Sequence, residues 1–236
     1  MQEFLRFIGH GFCHQIPSRS FEAGGLVFSV CARDTGIYLG LIFTVLVAFI
    51  LYSRLGRKPG DLPPTFYLVA LVFMALPMAI DGGTSYLGLR ETNNTIRYLT
   101  GFGMGISCGS LIAPLLFAMR KDADLTQKIF SKPSHIALQL TFTLILGIAF
   151  LIFYPYLGIF SPLLAALAFI GIILSVNLIL LTLTKRFTPH HTLNHWLLLI
   201  VLSLALSFIE IAAFAAARDL MVNLALNGRD IFTLIP

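Results

Sequence analysis

Residues 36–52 read GIYLGLIFTVLVAFILY, an apolar run without one charged side chain, closed by tyrosines near both ends. About 20 mainly apolar residues, rising ~1.5 Å each, carry a helix across the ~30 Å hydrocarbon of a bilayer. Comparable runs recur at about 65–80, 98–119, 136–156, 160–183 and 196–217, so six membrane spans are predicted, the first at 36–53. Composition agrees: of 236 residues 57% are hydrophobic and 11% charged, with a mean hydropathy of +0.88. Soluble domains carry roughly 25% charged residues, which excludes a soluble enzyme. No polar connector is long enough for a second domain. The chain reads as one all-α, polytopic membrane domain over residues 1–236.

Ahead of the first span, residues 1–12 lack the basic start, continuous apolar core and small-residue cleavage site of a signal peptide. Phe4, Leu5, Phe7, Ile8 and Phe12 fall near one helical face, the pattern of a short helix lying in the membrane interface. Packing against the bundle is the plainer reading. The isoelectric point of about 9.3 invites a nucleic-acid partner, but the charges follow the membrane instead. The connectors after spans one, three and five hold Arg54, Arg57, Lys58, Arg120, Lys121, Lys128, Lys132, Lys185 and Arg186 against Asp61, Asp122 and Asp124. Every lysine of the chain lies there. Cytoplasmic connectors accumulate Lys and Arg, which puts both termini outside a prokaryotic cell membrane.

Two polar segments share that outer end. The first is CHQIPSRSF at 13–21 with CARDTG at 31–36, and the second is DGGTSYLGLRETNNTIRYLTG at 81–101. A helix over 86–98 would put Arg90, Asn94 and Arg97 on one face. Gly82 and Gly83 permit a turn that leaves Asp81 at the end of the second span. Cys13, His14, Cys31 and Asp34 offer thiolate, imidazole and carboxylate, all zinc ligands. A Cys13–Cys31 disulfide suits an oxidising outer face equally well, and Asp34 can simply neutralise Arg33. The cations of this end are all arginine, namely Arg6, Arg19, Arg33, Arg90, Arg97, Arg218 and Arg229. Their planar forks grip phosphate or carboxylate bidentately, and pairing with the seven acids of the same end is the alternative. Glu210 stands inside the sixth span. A carboxylate there wants a partner, with Arg33 or a bound metal as candidates and a neutral carboxyl as the plain alternative.

Elsewhere, His190, His191 and His195 flank Trp196, where an interfacial belt explains them better than a metal site. Cys108 lies among Gly101, Gly103, Gly105 and Gly109, small residues that let helices approach closely. Asn93-Asn94-Thr95 is a formal glycosylation sequon close to the membrane. No phosphate loop, dinucleotide fingerprint or nucleophile elbow is present.

The segments CHQIPSRSF, CARDTGIYLG and DGGTSYLGLRETNNTIR resemble a family of prokaryotic integral membrane proteins called domain of unknown function 2085, over roughly residues 10–115. That resemblance implies that Cys13, His14, Gln15, Arg19, Ser20, Cys31, Arg33, Asp81, Arg90, Asn94 and Arg97 are family positions. The chain departs at Asp34, where the family box ends in a second cysteine, and at Ser85, where a glutamine is usual. Asp34 subtracts from a vicinal dithiol, whereas a metal site tolerates the exchange. The family brings no activity with it.

Three functions follow from these residues. The first is a metal-dependent membrane enzyme, with zinc on Cys13, His14, Cys31 and Asp34 and with Asp81 or Glu210 as base. In it Gln15, Arg19, Ser20, Arg33, Arg90, Asn94 and Arg97 hold an anionic lipid headgroup or phosphate. The second is a transporter or flippase for such an anion, and the third a thiol oxidoreductase acting on a quinone. Polar motifs crowd the first three spans without an internal repeat, which favours a fixed site over alternating access. The lysine distribution is open to a direct check: a reporter fused after Arg120 is expected to read cytoplasmic and one near Asn93 outside. The reverse pattern would turn the site to the cytoplasm.

Overall fold

The computed structural model describes residues 1–53, 58–184 and 193–232, with side chains as far as 224. Arg54, Arg57, Lys185, Arg186, His190, His191 and the side chain of Arg229 lie outside the described residues. A short helix α1 (Gln2–His10) leads to a single 3-10 turn and a hairpin of β1 (Glu22–Ala23) and β2 (Leu26–Val27). Gly24 and Gly25, at φ +60° and +72°, form its two-residue turn, the positive-φ geometry that joins tightly paired strands. Helix α2 (Ala32–Tyr52) follows, then β3 (Lys58–Asp61), α3 (Thr65–Tyr86), α4 (Asn94–Ala118), β4 (Ala123–Lys128), α5 (Pro133–Phe153), α6 (Phe160–Leu183) and α7 (Leu193–Phe232). Six of these helices, α2 to α7, are long and apolar enough to cross a bilayer. The protein is an all-α polytopic membrane protein.

Helices α2 and α4 form the axis of the bundle, about half buried, while α3 is 17% buried. Glycines explain the difference. A methyl group added to Gly36 would strike the Tyr98 carbonyl, and one on Gly40 would come within 2.6 Å of the Phe102 carbonyl. From α4, Gly101 abuts the Arg33 carbonyl, Gly105 that of Ile37, and Gly109 would meet Leu41 O at 2.8 Å. Glycines four residues apart on both helices let the backbones touch. In a bilayer this matters more than apolarity, because lipid tails are as apolar as leucine and only packing drives association. Around this pair Phe21, Phe28, Tyr98, Phe102 and Phe150 form an aromatic core at one end. Tyr52, Tyr67, Phe117 and Phe130 form another at the opposite end.

Tyrosine hydroxyls thread α5 onto this frame. Tyr52 meets His135 Nδ1 at 3.1 Å, Tyr67 donates to Gln139 Oε1 at 2.6 Å, and Tyr98 donates to the Gly147 carbonyl at 3.0 Å. At that same far end Lys58 is buried and donates to the carbonyls of Tyr52 (2.7 Å) and Ser53 (2.9 Å). The last turn of α2, whose carbonyls lack partners, is thereby capped. Parallel pairing of β3 with β4 ties the connectors after α2 and α4 together.

Three expectations on boundaries change. Gly82 and Gly83 do not break α3, which runs on to Tyr86 and leaves Asp81 inside the helix. Arg90 is not helical. Helix α4 begins only at Asn94, where the Asn93 side chain accepts the Ile96 amide at 2.8 Å, as an N-cap asparagine does. The sixth span is longer than the apolar run at 196–217. The N-terminal segment packs against the bundle, with Leu5 and Ile8 on Ala166, Phe169 and Ile211, while Phe4 and Phe7 stay exposed.

Because the α2–α4 contact has no room for a side chain, Gly105→Val is expected to destabilise the protein strongly, by more than the ~1–3 kcal/mol of ordinary overpacking. Gly83→Ala, where a methyl meets nothing within 4 Å, should leave the melting temperature within a few degrees. Thermal unfolding in detergent measures both.

Candidate functional site

Both polar segments meet at the end of the bundle where α2 and α4 begin and α3 ends. The link is built of named bonds. Asn94 Nδ2 reaches the carbonyls of Ser18 (3.3 Å) and Ser20 (3.2 Å), while its Oδ1 accepts from Arg97 Nη1 at 3.2 Å. Ser20 is buried and donates to Ile16 O at 3.2 Å. Gln15 sits at φ +53° and its amide donates to Arg6 O (2.8 Å) and Ser29 O (2.9 Å), pinning the loop to α1 and to the start of α2. Arg218 of α7 donates to the carbonyls of Cys13, at 2.6 Å, and of His10. Asn94, Ser20 and Gln15 are thus engaged mainly in holding the two segments in place.

A cavity of about 390 Å³ opens between them, lined by Cys13, His14, Gln15, Arg19, Cys31, Arg33, Asp34 and Arg97 with Phe12, Ile16, Met78, Ser85 and Tyr86. Eight of the residues singled out from the sequence therefore share one wall. Within it Cys13 Sγ, Cys31 Sγ and an Asp34 carboxylate oxygen all lie within 4.8 Å of one another. The Cys31 amide donates to Cys13 Sγ at 3.2 Å and the Cys31 thiol to Asp34 Oδ2 at 3.3 Å. Local structure sets this up: Cys31 is the N-cap of α2, and Asp34 stands in its first turn. Both cysteines are free thiols. The closeness of the two thiols holds Cys13 below its usual range and, together with burial, pushes Cys31 up. His14 is exposed on the cavity wall and stands outside the trio.

The arginines divide into two kinds. Arg33 Nη2 reaches Asp81 Oδ2 at 2.5 Å, and Arg90 takes the other carboxylate oxygen. Asp81 is 2% exposed, so its role is that of a pin between α2, α3 and the following loop. Each Asp81 oxygen faces a guanidinium and Asp81 does not line the cavity, so it is badly placed as a base. Arg19 and Arg97 instead line the cavity, and Arg33 both pairs with Asp81 and lines the wall. Arg33 Nε is buried there without an acceptor. Glu210 is not part of this cavity. Its Oε2 accepts from Asn177 Nδ2 of α6 at 3.0 Å, and neither Arg33 nor the thiol trio is its partner, because α7 packs on α6 and α1. Cys108 sits in α4, remote from the trio by sequence and absent from the cavity wall. Tyr86 and Met78 escaped the sequence reading because apolar residues at a helix end carry no signal of a cavity.

Such a chain is a multi-pass membrane protein with a thiol- and arginine-lined pocket at one end of its bundle. Residues 13–111 match the family model described as "Predicted membrane protein (DUF2085)". An uncharacterised protein of Methanocaldococcus jannaschii is 42% identical over 109 residues, which cover 45% of this chain and 65% of that protein. One of Methanothermobacter thermautotrophicus is 40% identical over 103 residues, covering 42% of this chain and 82% of that protein. The chain belongs to this family. No solved structure matches it. The matched stretch runs from Cys13 into α4 and so contains every residue of the trio and of the arginine wall.

With Asp81 as a pin, Asp81→Ala is expected to cost about 3–5 kcal/mol, the usual penalty for stranding a buried partner charge, and Asp81→Asn nearly as much. A variant Asp81→Asn of native melting temperature would contradict the pin.

Proposed function

We propose that this protein is a metal-dependent membrane enzyme of hydrolase or transferase type, acting on a phosphate-bearing or otherwise anionic lipid headgroup. The observation that carries the reading is the thiol–carboxylate trio set into the same 390 Å³ cavity as three arginines. Tetrahedral ligands at 2.0–2.3 Å from a zinc ion stand roughly 3.3–3.8 Å apart, and the Cys31–Asp34 separation of 3.3 Å already meets that. Cys13, Cys31 and Asp34 would hold the ion. Three protein ligands with a fourth position open is the pattern of catalytic rather than structural zinc. A bound zinc would supply an activated water or a polarised ester.

The chain's own residues do the rest. Arg19, Arg33 and Arg97 line the cavity and would supply N–H donors for the headgroup, stronger in this partly desolvated cavity than in water. His14, exposed on the same wall, replaces Asp81 and Glu210 as the group able to accept a proton from water. Orientation belongs to the same proposal: Lys58, Lys121, Lys128 and Lys132 all lie at the far end of the bundle, which supports an outward-facing cavity.

Purified protein is expected to contain about one zinc per chain and to lose it on Cys13→Ser or Asp34→Ala. His14→Ala should retain the metal and lose turnover. Metal-free protein with Cys13 and Cys31 bridged would end the reading. Replacing Arg97 by Lys is expected to weaken binding of an anionic headgroup ~10- to 100-fold, as the loss of a charge-assisted bidentate contact does. Arg90→Lys should act chiefly on stability, because Arg90 serves Asp81.

A further inference from the structure

The middle of α7 carries polar groups that the pocket does not use. Asn177 of α6 donates Nδ2 to Glu210 Oε2 at 3.0 Å and to Ser207 Oγ at 3.2 Å, and the Ser207 hydroxyl donates to the Ser203 carbonyl at 2.8 Å. Ser203, Ser207 and Glu210, at i, i+4 and i+7, share one face of α7. Ser203 and Ser207 are fully buried and Asn177 is 4% exposed. The Ser203 hydroxyl is buried in this patch with no partner of its own.

A carboxylate at membrane depth needs a counter-charge, and the neighbouring elements provide none. Helix α6 has no ionisable residue along its length. On α1, His10 is engaged with Asp219 at 2.7 Å, while Glu3 is an acid and Arg6 is exposed. Further along α7, Arg218 is spent on backbone carbonyls. Among the described residues no Lys, Arg or His pairs with Glu210.

The donor set says what fits instead. A cation seated between them would take the place of the Nδ2 donor, and a half-turn of the Asn177 amide would then present Oδ1 to it. Carboxylate, amide carbonyl and the Ser207 hydroxyl would make up its shell, with the unpartnered Ser203 hydroxyl one turn away. An all-oxygen set without a thiol or imidazole suits a hard cation better than zinc. One negative charge balances one positive charge, whereas Ca²⁺ sites recruit several carboxylates. We propose that Glu210, Asn177, Ser207 and Ser203 form an intramembrane binding site for a monovalent cation of the sodium class. The site stands apart from the thiol pocket and needs neither its metal nor its activity.

Dicyclohexylcarbodiimide, which enters membranes and modifies accessible carboxyls, tests this on the purified full-length protein. Glu210 is half buried, so the reagent reaches it, and mass spectrometry localises the adduct. At constant pH and ionic strength, Glu210 should be modified in choline chloride. Exchange for sodium chloride at about ten times the dissociation constant should slow modification roughly tenfold, as occupancy requires, and potassium should protect less. Ser207→Ala and Asn177→Ala should still be modified but lose the sodium effect, and Glu210→Gln should abolish the adduct. Equal modification in sodium and choline up to molar salt would overturn the site. So would a wild-type Glu210 that is never modified, since its carboxylate would then be closed to exchange.

Discussion

Everything at the functional end hangs on the backbone contact between α2 and α4. Gly101 lies against the carbonyl of Arg33 and Gly36 against that of Tyr98, so the first turns of both helices are locked in register. That single contact fixes Cys31 and Asp34, which open α2, relative to Asn94 and Arg97, which open α4. In water such a pair would be held by expelling solvent from apolar surface. Inside a bilayer that force is absent between spans, and close packing of small residues replaces it. The residues that matter most for the position of the pocket are therefore ones that have no side chain at all.

Around this contact, polar bonds do what apolar burial cannot. Asp81 ties α3 to Arg33 of α2 and to Arg90 of the loop. Asn94 fastens the N-terminal segment to α4, and Arg218 fastens it to α7. Each bond draws a segment that is irregular in outline against a rigid helix. Sites that rest on loops achieve defined geometry only when helices position those loops. The same logic governs the far end, where Lys58 closes α2.

How much of this was legible in the sequence follows from which physics each residue obeys. Span number and rough position are read from apolarity alone, and all six runs became helices. Exact ends are not, because a helix continues past its apolar stretch wherever its polar residues find partners. Asp81 is the case in point: paired on both oxygens, it lets α3 run through Gly82 and Gly83 to Tyr86. Arg90 fell out of its expected helix because Asn93 supplies the cap three residues later, a signal present in the sequence and outweighed by the i, i+4, i+7 pattern. Cys13, Cys31 and Asp34 came together as a trio in one cavity. His14 did not join them, since the direction of a side chain in an irregular segment has no periodicity to reveal it. Glu210 pairs with Asn177 and not with Arg33 for a related reason: the rotational phase of one span against another is set by packing between helices far apart in sequence.

The charges of the pocket decide what kind of molecule it can receive. Asp81 is a single anion shared by two arginines, so the Arg33–Asp81–Arg90 group keeps one surplus positive charge. Arg19 and Arg97 add two more, and Asp34 is the remaining acid on the wall. If the Asp34 carboxylate is drawn to a metal together with Cys13 and Cys31, its charge is consumed there and no acid on the cavity wall remains for Arg19 and Arg97. Like charges gathered in a half-enclosed cavity repel one another, and the protein must offset that cost elsewhere. Here the offset is structural: the carbonyl and amide ties of Gln15 and Asn94 hold the loop that carries Arg19 beside the helix that carries Arg97. A fold that spends its bonds on keeping arginines together, with Arg33 Nε buried and unmatched, accords with the proposal that an anion from outside the chain completes the site.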